Sequence, residues 1–110
     1  MVKAKTTSSP LEVEIQRTIC DYLFAKGYLF WRSNNTPIFT EGKFRALPKY
    51  TPRGLSDIIV VLKGQIVCIE VKRQGTKQTD DQKFFEDRMI MHGGRYFVAR
   101  SLDDVQAQGL

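Results

Sequence analysis

The 110-residue sequence contains one histidine, His92, and two cysteines, Cys20 and Cys68, far apart in the chain. A single histidine excludes metal centres and proton relays that need two or three imidazoles. Two distant cysteines exclude a disulfide framework and a zinc knuckle. No apolar run approaches the roughly 18 residues of a membrane span. The first ten residues carry Lys3 and Lys5 and then Thr, Ser and Pro, without the apolar stretch of a signal peptide. A soluble, cytoplasmic protein is expected. Acids are also in deficit: 12 Asp and Glu against 17 Lys and Arg leave a formal charge of +5. That balance suits a polyanionic partner, nucleic acid or an anionic membrane surface. Any chemistry must rest on carboxylates, amides, lysine and hydroxyls.

The remaining composition, 42% hydrophobic and 26% charged, is that of a globular protein, and the length suits one domain. Residues 1–9 read as a flexible N-terminal arm and residues 10–110 as the domain. A first helix is predicted over 10–26, with Ser9 as N-cap, Pro10 at the first helical position and Gly27 as the stop. A strand at 28–32 follows. Residues 33–53 form a long connection holding Pro37, Pro48 and Pro52, with a small hairpin expected at 38–46. Two β-branched runs, 57–62 and 65–72, are joined by Lys63-Gly64 and read as a tight hairpin. A second helix is expected over 79–92, a strand over 95–99 and a short helix over 102–108. The order α-β-β-β-α-β implies an α/β or α+β sandwich with an apolar central sheet.

A two-residue loop at Lys63-Gly64 fixes the hairpin register. Leu62 faces Gln65, and the same pairing sets Asp57 opposite Glu70. Ile59, Val61, Ile66, Cys68 and Lys72 share their face, while Ile58, Val60, Val67, Ile69 and Val71 line the other. Both faces are apolar in the middle, so the hairpin is interior. Two opposed acids at its end repel each other. A hard divalent cation such as Mg²⁺ would relieve that repulsion, since it takes carboxylate oxygens together with water and phosphate. The plainer reading is a strand-end salt bridge from Glu70 to Lys72 or Arg73, with Asp57 capping the strand start.

At 100° per residue, Leu11, Ile15, Ile19, Tyr22 and Leu23 form one stripe of the first helix. Glu12 falls inside that stripe and Glu14 falls on the polar side with Arg17 and Asp21. Glu12 is thus the inward-facing acid, unless it serves only the helix dipole, and Glu14 is a solvated charge. On the second helix, Gln82 shares a face with Phe85 and Met89, which sets an amide among core residues. Nearby backbone could equally satisfy it. Phe30 and Trp31 read as core rather than as base-stacking platforms.

These residues in this order resemble the virus-type replication-repair nuclease (VRR-NUC) domain of the PD-(D/E)XK nuclease superfamily. The matching segments are Glu12-x-x-Ile15-Gln16, Gly54-Leu55-Ser56-Asp57, Glu70-Val71-Lys72-Arg73, Gln82-x-x-Phe85 and residues 94–101. Ser56 stands where the superfamily name implies proline. The resemblance implies a restriction-endonuclease-like core, a central mixed sheet flanked by helices. It also implies a Mg²⁺-dependent deoxyribonuclease, with Mn²⁺ as substitute, in a phage or bacterial setting. Asp57 and Glu70 would hold the metal with the backbone carbonyl of Val71. Lys72 would manage the attacking water, Gln82 would position water or Lys72, and Glu12 would complete the site. Stand-alone members look like junction resolvases and tend to be homodimers, so branched DNA such as a four-way junction is the expected substrate.

Two acid-free segments hold much of the positive charge. Residues 42–53 carry Lys43, Arg45, Lys49 and Arg53 interleaved with Phe44 and Tyr50, and residues 71–79 carry Lys72, Arg73 and Lys77. They flank the acids in sequence and read as phosphate-contacting loops, or else as solvated loop surface. Competing functions are a flap, single-strand or general DNA nuclease, a non-catalytic DNA-binding module, and a small partner-binding adaptor. Residues 28–32 and 33–53 are the candidate dimer surfaces.

Overall fold

The structure is a computed structural model that describes residues 10–33, 39–40, 43–44 and 49–110, with backbone alone at 39–40 and 43–44. The expected N-terminal arm, Ser9, Pro37, Arg45, Pro48 and the side chains of Lys43 and Phe44 therefore lie outside the described residues. In chain order the elements are α1 (Glu12–Lys26), β1 (Leu29–Arg32), β2 (Phe39–Thr40), β3 (Lys43–Phe44), β4 (Ile58–Leu62), β5 (Gln65–Val71), α2 (Asp80–Met91), β6 (Arg95–Ala99) and α3 (Leu102–Ala107). No helix among the described residues is long and apolar enough to cross a membrane.

The predicted start of α1 needs correction. Its N-cap is Leu11, in extended conformation, two positions later than the expected Ser9. Leucine offers no side-chain acceptor. Glu14 compensates by accepting the Leu11 N–H at 3.0 Å, which is half of a capping box, so Glu14 is not simply a solvated charge. Leu11 itself is exposed and leaves the apolar stripe to Ile15, Ile19 and Leu23, with Tyr22 half-buried.

The main sheet has the order β1-β4-β5-β6, with antiparallel pairs β1·β4 and β4·β5 and a parallel pair β5·β6. The parallel pair follows from α2, which carries the chain back across the sheet between β5 and β6. The expected small hairpin forms from β2 and β3, shorter than predicted. In the central hairpin Leu62 faces Gln65 and Ile58 faces Ile69, the expected register. Lys63 and Gly64 both have positive φ, 51° and 83°, which is the twist-matching turn a two-residue loop requires.

Both sheet faces are covered, as continuous apolar strands demand. On one side Ile15, Ile19 and Leu23 of α1 and Val105 of α3 pack on Ile58, Val60, Val67, Ile69, Val71, Phe97 and Ala99. The hydroxyls of Tyr22 and Tyr28 donate to the Leu110 carbonyl oxygen at 2.8 and 2.7 Å and tie that layer to the chain after α3. On the other side Phe85 of α2 packs with Ile59, Cys68 and Tyr96, backed by Leu55, Met89 and Val98. Each Val, Leu, Ile or Phe side chain withdrawn from water here contributes about 1.5–3 kcal/mol. Phe30 packs against the α1 layer as expected, but Trp31 is 49% exposed and is not core. The reason is position: β1 is the edge strand of the sheet.

Candidate active site

Asp57 stands one residue before β4, so continuing the register sets it opposite Glu70 of β5. Its Oδ2 accepts the Val71 N–H at 2.7 Å, which pins the carboxylate to the partner strand. Glu70 is only 2% exposed. Its Oε2 accepts from Gln82 Nε2 at 2.9 Å and lies 3.7 Å from Lys72 Nζ, whereas Oε1 is buried with no hydrogen-bond partner. Lys72 is buried as well, and its N–H donates to the Ala99 carbonyl at 3.0 Å, prolonging the parallel ladder past the end of β5. That extra bond holds Lys72 on the same face as Glu70.

Gln82 sits in the first turn of α2 and is fixed at three points. Its N–H donates to the Thr79 hydroxyl at 3.1 Å and its Oε1 accepts the Thr79 N–H at 2.8 Å, a reciprocal capping box. Its remaining amide group turns to Glu70. Both readings of this residue therefore hold at once: nearby backbone satisfies its oxygen, and its nitrogen serves the acid. The signature Thr79-x-x-Gln82 is readable in the sequence.

Gly54 anchors the other side. Its φ is +73°, and a Cβ there would run into the Asp81 carbonyl and the Gln82 nitrogen. The segment leading to Asp57 is thus pressed directly on the backbone that carries Gln82. Ser56, standing where the motif name has proline, is fully buried.

Burial pushes the Glu70 carboxyl up to about 8, with the Asp57 charge adding to the rise and Lys72 opposing it. Burial likewise raises Asp57, against the pull of the Val71 N–H. The charge of Glu12 adds to the repulsion on both. Glu12 is half-buried at the start of α1, the helix on the opposite face of the sheet. It stands near the acid pair without a hydrogen bond to it.

The plain strand-end reading is also realised, since Asp57 caps a backbone N–H and Lys72 pairs with Glu70. It leaves the bare Oε1 and the residual repulsion between the acids unexplained. A divalent cation would satisfy both. Among the described residues no group of three or more His, Cys, Asp and Glu forms a metal cluster. The donor set is instead a carboxylate pair, which fits Mg²⁺ because that ion takes one or two protein carboxylates and keeps water and phosphate.

The basic residues are more dispersed. Lys49 is exposed with Nζ 5.2 Å from the ring centre of Tyr50, and Tyr50 is 90% exposed. Arg53 is exposed and lies 4.0 Å from Asp81 Oδ2. Lys77 is exposed, and Arg73 is half-buried with its carbonyl accepting from Arg100 Nη1 at 2.7 Å. Arg100 braces the loop after β5, a role the sequence did not reveal.

A solved structure named "VRR_NUC domain" is similar to this chain with a TM-score of 0.61 and 26% identity, covering 87% of this chain and 90% of that one. The chain has the VRR-NUC fold. A second solved structure, named "VRR_NUC domain protein", matches at the same TM-score of 0.61 over 92% of this chain and 86% of that one; at 17% identity it speaks to the fold alone. No protein-family model matches the sequence, and no curated protein does. The VRR-NUC fold is that of a nuclease-type domain, and its central mixed sheet between helical layers agrees with the expected architecture.

One consequence of the acid pair is measurable without substrate. The folded state raises Glu70 and Asp57, so between the ordinary carboxylate range and about pH 8 it binds more protons than the unfolded chain. Stability must then fall as pH rises across that window. In EDTA, Tm is expected to drop by roughly 5–10 °C from pH 5 to pH 8. Glu70→Gln should flatten most of the drop in a thermal melt, and a flat wild-type profile would refute the assignment.

Proposed function

We propose that this chain is a metal-dependent, structure-selective DNA endonuclease that hydrolyses phosphodiester bonds in branched DNA such as four-way junctions, working as a homodimer. The observation that carries the proposal is the bare, buried Glu70 Oε1 beside Asp57, Lys72 and Gln82. Two paired acids, a lysine and an amide converging out of water are costly to maintain and of no use to a simple DNA binder.

Asp57 and Glu70 are the ligands that would hold Mg²⁺ or Mn²⁺, with the Val71 backbone carbonyl as a further oxygen. A bound divalent ion lowers the pKa of its water and balances charge at phosphorus during in-line displacement. Lys72 orients the attacking water, takes part in its deprotonation and offsets negative charge on the phosphate. With His92 at the far end of α2 and no other histidine in the chain, lysine is the group suited to that proton. Gln82 holds Glu70 in place through its amide. Glu12 adds negative potential toward a second ion or the hydration shell of the first. Lys43, Arg45, Lys49, Arg53, Arg73 and Lys77 grip phosphates on either side, a role that positions DNA without reading its sequence.

The test is incubation with four-way, flap, single-stranded and linear duplex DNA in Mg²⁺, Mn²⁺ or EDTA. Symmetric nicks in the four-way junction, present with either metal and absent in EDTA, are expected. Metal-dependent cutting of flaps or single strands alone would replace the junction reading with the flap-nuclease alternative. No metal-dependent product on any DNA would leave a binding module.

A further inference from the structure

Beyond the acid pair, the outer side of α2 carries a second built feature. Asp81, Phe84 and Arg88 follow one another at helical spacing along a face next to the one that packs on the sheet. Between this row and the Arg53 loop runs a groove of about 500 Å³, within the range of small-molecule sites. Phe85 and Met89 line it from the sheet side, Phe84 stands 68% exposed at its wall, and Arg88, Arg53 and Asp81 also line it, Asp81 Oδ2 lying 4.0 Å from Arg53 Nη1.

Resting on the nuclease reading, we propose that this groove receives an unpaired base of the DNA, stacked on Phe84, with the flanking phosphates held by Arg53 and Arg88. Three observations select that occupant. An exposed aromatic ring beside apolar side chains offers a platform for a base of any identity. The two guanidiniums outnumber the single acid, which suits a phosphodiester and would be costly to bury against an apolar face of another folded chain. The groove also borders the backbone that supports the site. Arg53 directly precedes Gly54, Gly54 rests on the Asp81 carbonyl and Gln82 nitrogen, and Gln82 reaches Glu70. A strand whose base enters here runs past the first turn of α2 toward the acids.

Such a groove would favour branch points and flaps, where bases are already unstacked, over continuous duplex. The test is fluorescence anisotropy in EDTA with a labelled single-stranded oligonucleotide and with the same sequence fully paired. Phe84→Ala is expected to weaken single-strand binding about ten-fold while changing duplex binding less than about two-fold, and Phe84→Trp to restore it. Equal losses on both DNAs, or none, would overturn the groove. So would a change of oligomeric state in Phe84→Ala by sedimentation, which would make this face a contact between copies. Because binding is read in EDTA, the outcomes separate. Wild-type protein that cuts no DNA yet binds single strands through Phe84 refutes the nuclease and keeps the groove. Wild-type protein that cuts, with Phe84→Ala binding unchanged, refutes the groove alone.

Discussion

Asp57→Asn is expected to abolish Mg²⁺-dependent cleavage, by roughly 10²–10⁴-fold, while leaving the protein at least as stable as wild type. The amide oxygen of asparagine can still accept the Val71 N–H, so the contact that pins this position to β5 survives. What disappears is the charge that repels Glu70, so the Glu70 carboxyl falls part of the way back while burial still holds it up. A structural role for Asp57 predicts the opposite pattern, lost stability with activity falling in parallel. Lys72→Met provides the companion result. It keeps the length and apolar stem of the side chain but removes the cation 3.7 Å from Glu70 Oε2. Cleavage should fall by a similar factor, with a folded circular-dichroism spectrum and Glu70 pushed further up. An Asp57→Asn protein that cuts DNA at the wild-type rate would end the proposed mechanism.

Gly54→Ala should be the most damaging single methyl group in the described chain. The position has φ +73° and backbone of Asp81 and Gln82 where the methyl must go. Left-handed backbone in a non-glycine residue costs about 1–2 kcal/mol, and overpacking adds roughly 1–3 kcal/mol. The Asp81–Gln82 backbone cannot yield without breaking the capping box on Thr79. A drop in Tm of roughly 10–20 °C is expected. Gly75→Ala is the control, because Gly75 also has positive φ, +86°, but nothing lies within 4 Å of its added carbon. It should lose only about 1–2 kcal/mol. Equal melting temperatures for the two variants would show that the Gly54 contact is not tight.

The contrast between these glycines also explains which parts of the molecule could be read from the sequence. The central hairpin was legible because a two-residue turn leaves one register, and that register alone sets Asp57 against Glu70. The second helix was legible because Thr79 and the Gly93-Gly94 pair mark its ends chemically. The start of α1 was not, since a leucine cap gives no signal and its repair by Glu14 lies three residues on. Trp31 misled because an edge strand and a central strand can have the same apolar content; only the sheet order separates them. The approach of Gly54 to Asp81 has no local signature, since it joins segments that meet only in the folded chain. The bond from Asp57 to the Val71 N–H was hidden for a related reason. Strand alternation predicts which acids face each other but not which backbone group one of them will occupy.

The double engagement of Gln82 couples two equilibria that are usually separate. Helix ends fray readily, and a first turn opens and closes far more often than a protein unfolds. Here the same side chain that closes the start of α2 also supplies the amide on Glu70. When that turn frays, the acid pair loses its orienting partner, and when the pair is correctly set, the turn is held shut. The readiness of the site is thus tied to a local opening of one helical turn rather than to global stability. Anything that seats on the outer surface of that turn, a bound DNA strand included, would also tighten the carboxylates behind it.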